Sequence, residues 1–198
     1  MNRFICNDDY MGEKVKKKLK KCGKNVTIHP LAKIVNPHMV EIDDYSQIDD
    51  FTFINGGDGI KIGKFVHIAS FCSIIGKGKL VMEDFSGLSA GCRIITWSED
   101  FSGVALTNPC IPTEFRILSS GVVKLCKHAL LGTNTIVHPN VTIGEGATTG
   151  SSTLVTKDLE PWGIYIGSPA RKLKDRKKDL LKSEKLLMEK CYGGKKHD

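Results

Sequence analysis

An aliphatic residue returns at every sixth position along most of this chain, with a small residue four places after it, and that double period leaves few shapes open. The count runs through Ile42, Ile48 and Ile54, then Ile62, Ile68 and Ile74, then Met82, Leu88 and Ile94. It resumes at Leu125, Leu131, Val137 and Ile143, takes Thr149 as a polar substitute, and ends at Val155. The small partners are Ser46, Thr52, Val66, Cys72, Gly78, Ser86, Cys92, Ala129, Thr135, Val141, Ala147 and Thr153. A repeat of six matches neither the turn of an α-helix nor the two-residue alternation of a flat strand. It matches a coil of three short strands, roughly eighteen residues per turn, with aliphatic side chains filling the interior and small ones fitting the corners. A sandwich would instead show turn signals about every eight to twelve residues.

The regular hexad resembles that of the left-handed parallel β-helix; right-handed coils have longer, less regular turns. The predicted fold class is therefore all-β: a left-handed parallel β-helix with short N-terminal and C-terminal helices and a long protruding loop. Residues 1–198 read as one domain in three segments. Residues 1–25 hold a short helix over 9–22, with Asp8 or Asp9 as N-cap and Gly23 as its stop. Residues 26–173 form the coil, closed by Pro161, with slips at 39–42, 55–59 and 79–82. Within it, residues 97–122 abandon the period, carry Pro109 and Pro112, and read as one structureless loop of functional length. Residues 174–198 hold a tail and a charged amphipathic helix over 175–191, with Leu180, Leu181, Leu186, Leu187 and Met188 on its apolar side.

Hydrophobic residues at 40% and charged ones at 26% are those of an ordinary folded protein, and no apolar run is long enough to insert in a membrane. Residues 1–10 lack the apolar stretch of a signal peptide. Seven cysteines without metal-type spacing predict reduced thiols and a cytoplasmic location; Cys72 and Cys92, at small-residue corners, read as packing. The net charge of +7 is concentrated in residues 14–24 and 171–182. Neither segment interleaves aromatics that would stack bases, so nucleic acid is not an expected partner, whereas anionic small molecules are.

The stretch VTIGEGATTGSSTLVTKDLEPWGIYIGSPAR, Val141 to Arg171, is the most diagnostic part of the chain. Together with the hexads from about Val26 to Lys174, it resembles the hexapeptide-repeat acyltransferases, in the branch of galactoside, maltose and bacterial surface-sugar acetyltransferases. That resemblance implies an acetyl-CoA-dependent acetyltransferase acting on a sugar or nucleotide-linked amino sugar for bacterial surface polysaccharide, including lipopolysaccharide. It also implies a homotrimer with the donor site in a cleft between neighbouring coils. On the family pattern, Lys157, Arg171 and Lys174 meet the coenzyme phosphates and Thr156 adds a hydroxyl. Gly132, Ser151 and Ser152 leave backbone groups reachable by the pantetheine arm.

Acetyl transfer to a hydroxyl needs a base, and histidine is suited to the task. The galactoside enzymes carry one at the start of the protruding loop. The equivalent stretch here, IITWSEDFS from Ile94 to Ser102, has none. His67 is then the first candidate base, with Asp100, or else Glu99, as its orienting partner; His128 is the second. His29, His38 and His138 read as corner or rim residues, and His197 lies in the tail. A missing loop histidine also fits an amine acceptor, which attacks without a strong base. Trp97, Phe101 and Phe115 are candidates to cover a sugar face, Asp100, Thr107 and Asn108 to bond its hydroxyls, and Arg116 to meet a nucleotide phosphate. Direct attack is expected rather than an acyl-enzyme, since neither Cys72 nor Cys92 is placed beside a base. Two alternatives stand beside this reading: a purely structural coil, and a carbonic-anhydrase-like zinc enzyme. The latter needs three converging histidines, while His128 and His138 lie ten apart, so no metal is expected.

Overall fold

Every hexad contributes one short strand, and every third strand falls in the same sheet, so the chain winds as a three-sided parallel coil. The computed structural model describes residues 10–193. The first sheet holds Lys21–Cys22, Val40–Ile42, Ile60–Ile62, Lys79–Met82, Val122–Leu125 and Thr142–Ile143. The second holds Thr27–Ile28, Gln47–Ile48, His67–Ile68, Gly87–Leu88, Leu130–Leu131, Thr148–Thr149 and Gly163–Ile166, and ends on the antiparallel strand Arg171–Asp175. The third holds Lys33–Val35, Phe53–Asn55, Ser73–Ile75, Arg93–Ile95, Ile136–Val137 and Leu154–Val155.

Register gives the length of each turn. Glu41 stands beside Lys61 and Lys61 beside Val81, a step of twenty; Lys124 stands beside Thr142, a step of eighteen. The expected eighteen therefore holds only for the lower turns. In the upper ones, residues 55–59 and 76–79 bulge at the edge between the third and first sheets, where the sequence slips. Between Val81 and Lys124 the same edge extrudes an antiparallel hairpin, Trp97–Glu99 against Leu118–Ser120, with a 3-10 turn over Thr113–Phe115. The segment expected to be structureless is thus partly ordered.

The interior is the column of aliphatic residues read from the sequence, and all of them from Ile42 to Val155 are buried. Burying one such side chain is worth about 1.5–3 kcal/mol, so the column dominates the core. Thr149 keeps its place because its hydroxyl is satisfied, 2.8 Å from Thr135 Oγ1 and accepting from the Gly132 N–H at 3.0 Å.

The residue three places after most of these aliphatics takes a left-handed backbone at the edge. Between the first and second sheets these include Tyr45, Phe65, Phe85 and His128, with φ of 60°, 55°, 61° and 62°. Their rings stack: Tyr45 on Phe65 and Phe65 on Phe85 at 5.0 Å, and Phe85 on His128 at 5.1 Å. The helix Leu180–Tyr192 lies along this edge. Glu184 accepts from His128 Nε2 at 2.8 Å and pairs with Lys127, while the Tyr192 hydroxyl donates to Asp44 at 3.0 Å.

Both terminal expectations need correction. The helix foreseen over 9–22 is a 3-10 helix, Gly12–Lys18, and Lys21–Cys22 joins the first sheet, so the coil starts before residue 26. The left-handed φ of +54° at Gly12 does not continue into an α-helix, and the Lys20 N–H is taken by the Val40 carbonyl. Asp8 and Asp9 lie outside the described residues, as does His197. The coil continues past Pro161 through Gly163–Ile166, and the C-terminal helix starts at Leu180 rather than 175 because Arg171–Asp175 is paired as a strand. Its half-buried stripe is Leu180, Glu184, Met188 and Cys191; Leu181, Leu186 and Leu187 of the foreseen apolar side are exposed.

Candidate active site

The edge between the third and first sheets carries two cavities lined by residues that the sequence singled out. Ile94 pairs with Val137 and Val137 with Val155, so the residues one place on, Ile95, His138 and Thr156, stack on successive turns along this edge. The His138 N–H donates to the Val155 carbonyl at 3.0 Å, and its side chain is exposed. At Thr156 a cavity of about 260 Å³ is lined by Thr156, Lys157, Asp158, Leu159, Tyr165, Pro169, Ala170 and Arg171. At Ile95 and His138 another, of about 370 Å³, is lined by Ile95, Trp97, Ser98, Glu99, Phe101, His138 and Pro139.

The lower cavity gathers three of the residues expected to hold the coenzyme. Thr156, Lys157 and Arg171 are exposed there, and the Arg171 guanidinium makes one bond, to the Ala170 carbonyl at 2.9 Å. Lys157 brings its charge to the same wall, while the Asp158 carboxylate is occupied by the Thr142 N–H at 2.7 Å. The two cations suit a phosphate-bearing ligand. The other expected donor residues lie elsewhere. Gly132, Ser151 and Ser152 belong to the edge between the second and third sheets, because they follow strands of the second sheet. The Gly132 N–H and carbonyl are both bonded within the coil, to Thr149 and from Thr135, so neither is open to a pantetheine arm. Lys174 sits on the terminal strand opposite Ile164.

The hairpin's polar residues hold the hairpin itself. Arg116 grips Glu99 through Nη2 and through Nε at 3.3 Å, and the Asn108 N–H donates to the same carboxylate at 2.7 Å. Arg116, expected to meet a nucleotide phosphate, is thereby committed within the chain. Its hydrogen bond keeps Glu99 below the usual carboxylate range, so Glu99 faces the upper cavity as an anion. Asp100 accepts from the Ser102 hydroxyl and N–H at 2.7 and 3.1 Å and from the Val104 N–H at 3.1 Å; the Ser102 hydroxyl leads in lowering it. Asn108 Oδ1 takes the Cys110 N–H at 2.9 Å. A loop this long must satisfy its own backbone, and these side chains do so. Trp97 and Phe101 remain on the cavity wall, with Lys77 Nζ 5.1 Å from the Trp97 ring; Thr107 and Phe115 are exposed and do not line it.

His67 is paired, but with neither Asp100 nor Glu99. Its Nε2 lies 3.0 Å from Asp49 Oδ2 on the neighbouring turn. In a three-sided coil the second sheet, which carries His67, is opposite the edge that carries the hairpin, so the two cannot meet within one chain. Burial works to raise Asp49, yet hydrogen bonds from Gln47 and His67 outweigh it and hold the carboxyl low. His128 is a packing residue, 6% exposed between Phe85 and Glu184. Cys72 and Cys92 are buried at one edge as read from the sequence; the contact with Cys72, together with burial, pushes the Cys92 thiol up. Among the described residues no group of three or more His, Cys, Asp or Glu side chains is placed to hold a metal ion. His138 is the residue that sequence reading passed over. It is no bare rim residue, since it lines the hairpin cavity one turn from Thr156.

No protein-family model matches the chain. Among curated proteins it is 35% identical over 175 residues to the dTDP-4-amino-4,6-dideoxy-D-glucose acyltransferase of Escherichia coli, covering 88% of this chain and 91% of that protein. Among solved structures it resembles AntD, an N-acyltransferase from Bacillus cereus in complex with dTDP and 3-hydroxybutyryl-CoA: TM-score 0.84, 35% identity, 90% of this chain and 95% of that one. A hexapeptide-repeat acetyltransferase from Vibrio cholerae complexed with acetyl coenzyme A shares the fold, with TM-score 0.57 and 16% identity over 83% of this chain and 75% of that one. The repeat, the closing motif with its cationic cavity, and an identity that runs nearly end to end agree: the chain belongs to the hexapeptide-repeat β-helix acyltransferases.

Proposed function

We propose that the protein transfers a short acyl group from a coenzyme A thioester to the amine of a nucleotide-linked amino sugar of the dTDP-4-amino-4,6-dideoxyglucose class. One observation carries this reading. The identity to the Escherichia coli acyltransferase spans 88% of this chain, hairpin included, and not the repeats alone. Lys157 and Arg171 take the coenzyme phosphates in the lower cavity, and the pantetheine arm runs up the edge toward the hairpin. The sugar lies in the upper cavity against Trp97 and Phe101, with the Glu99 anion attracting its amino group. The amine lone pair attacks the thioester carbonyl, a C–N bond forms, the C–S bond breaks, and coenzyme A leaves as the thiol.

An unprotonated amine is nucleophilic by itself, which accords with the missing loop histidine and with direct attack. Acetyl and 3-hydroxybutyryl are the two donors to try first. The product serves a bacterial surface polysaccharide, and the enzyme works in the cytoplasm as a homotrimer; the free thiols of the described cysteines accord with that compartment. His67, held by Asp49, reaches this chemistry only if a second copy brings its second sheet to the edge.

The test is thiol release by the full chain from acetyl-CoA and 3-hydroxybutyryl-CoA against dTDP-4-amino-4,6-dideoxyglucose and simple galactosides, with mass analysis of the products. The expected result is a mass gain on the amino sugar alone. A gain on a galactoside hydroxyl overturns the amine assignment, and no coenzyme A binding overturns the enzyme.

A further inference from the structure

We infer that His138 accepts the proton released by the attacking amine and returns it to the departing coenzyme A sulfur. This rests on the acyl-transfer reading and adds a residue to it. The argument is one of register. Thr156 opens the cationic cavity, Ile95 and Trp97 open the hairpin cavity, and His138 stands on the turn between them, fixed by the Val137 pairings to Ile94 and Val155. A donor reaching up from Lys157 and Arg171 and an acceptor reaching down from Trp97 and Phe101 must meet within one strand spacing, about 5 Å, of this residue. The other candidate imidazoles are placed differently: His128 is packed under the C-terminal helix, and His67 lies on the opposite sheet.

The step balances. As the amine nitrogen bonds to the carbonyl carbon, its N–H proton passes to the neutral imidazole. Collapse of the tetrahedral adduct breaks the C–S bond, and the imidazolium gives that proton to the thiolate. The charged group that shares the hairpin cavity with His138 is Glu99, an anion held by Arg116; Lys77 stands over the Trp97 ring, and Lys157 and Asp158 line the cavity of the next turn, Asp158 taken by the Thr142 N–H. The His138 backbone bond to Val155 is independent of its side chain, so substitutions there keep the coil.

The test compares H138N and H138A with H67A in the full chain, using acyl-CoA and the amino-sugar nucleotide. It reads kcat and KM across pH, coenzyme A affinity by calorimetry, and the melting curve. Both His138 variants should lose about a hundredfold or more in kcat, and the acid limb of the kcat–pH profile should change to the titration of the acceptor amine alone. Coenzyme A affinity and melting should stay at the parent's values, and H67A should keep most of its rate. If the His138 variants keep the parent's kcat and acid limb, or if H67A takes the loss instead, the inference is overturned while the acyl-transfer reading stands. A parent that turns over no amino-sugar nucleotide overturns both.

Discussion

A methyl group at Gly132 would stand 2.6 Å from the Thr149 carbonyl oxygen and 2.7 Å from the Gly150 carbonyl carbon. Both are backbone atoms of the next turn, so neither can swing away. Gly132→Ala should therefore destabilise the protein by about 3 kcal/mol, the upper part of the range for overpacking, as a lower melting temperature by circular dichroism. Lys157 and Arg171 call for a different outcome. Both are exposed on the cavity wall and carry no ion pair that the fold needs, so Lys157→Ala and Arg171→Ala should leave melting unchanged. Each should weaken coenzyme A by about tenfold in calorimetry, the worth of one partly hydrated charge-assisted bond. Unchanged affinity in the double variant would remove the donor cavity from the mechanism.

The hairpin stands on one ion pair. The hydrogen bond from Arg116 lowers Glu99, which means the carboxylate contributes its holding force above the ordinary carboxylate pKa and loses it as pH falls through the lowered value. Residues 100–117 should thus show amide protection factors, corrected for the intrinsic exchange rate, that are high at pH 7 and drop once the pH falls below the ordinary carboxylate range. Arg116→Ala should show the low protection at both pH values while the coil strands stay protected; unchanged protection in that variant would show that something else holds the hairpin. These partners were not legible in the sequence. Spacing gives which residues share a coil position, but 97–120 has no period, so nothing in the string says that Glu99 will find Arg116 rather than a ligand. The aromatic edge was legible and passed unread: Tyr45, Phe65 and Phe85 recur at a step of twenty, each three places after a core residue. A left-handed backbone costs such residues about 1–2 kcal/mol, and stacking at 5.0 Å returns about 0.5–1.5 kcal/mol, so the ladder offsets most of its own strain. His138 was legible in the same way, one place after Val137 as Thr156 is one place after Val155.

Because every strand touches only the turn before and the turn after, stability in this molecule is shared between neighbours rather than pooled in one centre. Ile68→Ala, in a middle turn, removes a fully buried side chain with rigid strands on both sides. It should cost about 3–4 kcal/mol in denaturant unfolding. Hydrogen exchange should rise in the turns adjoining Ile68 before it rises around Val155; a uniform rise would mean that the coil unfolds as one unit. The core column from Ile42 to Val155 was written in the hexads, whose period of six holds within each turn and, outside the hairpin, stretches only where a turn bulges, from Ile54 to Ile62 and from Ile74 to Met82. What the period does not carry is how a coil ends. A stack of parallel strands leaves at each end an open row of backbone donors and acceptors, a template on which another chain can grow into a fibre. Here the last strand, Arg171–Asp175, runs backwards and puts Arg171, Lys172 and Lys174 on that border. An arriving parallel strand would find the polarity reversed and the charge repellent on the second sheet, so the same segment that supplies a cation to the donor cavity also stops that sheet from growing onto another molecule.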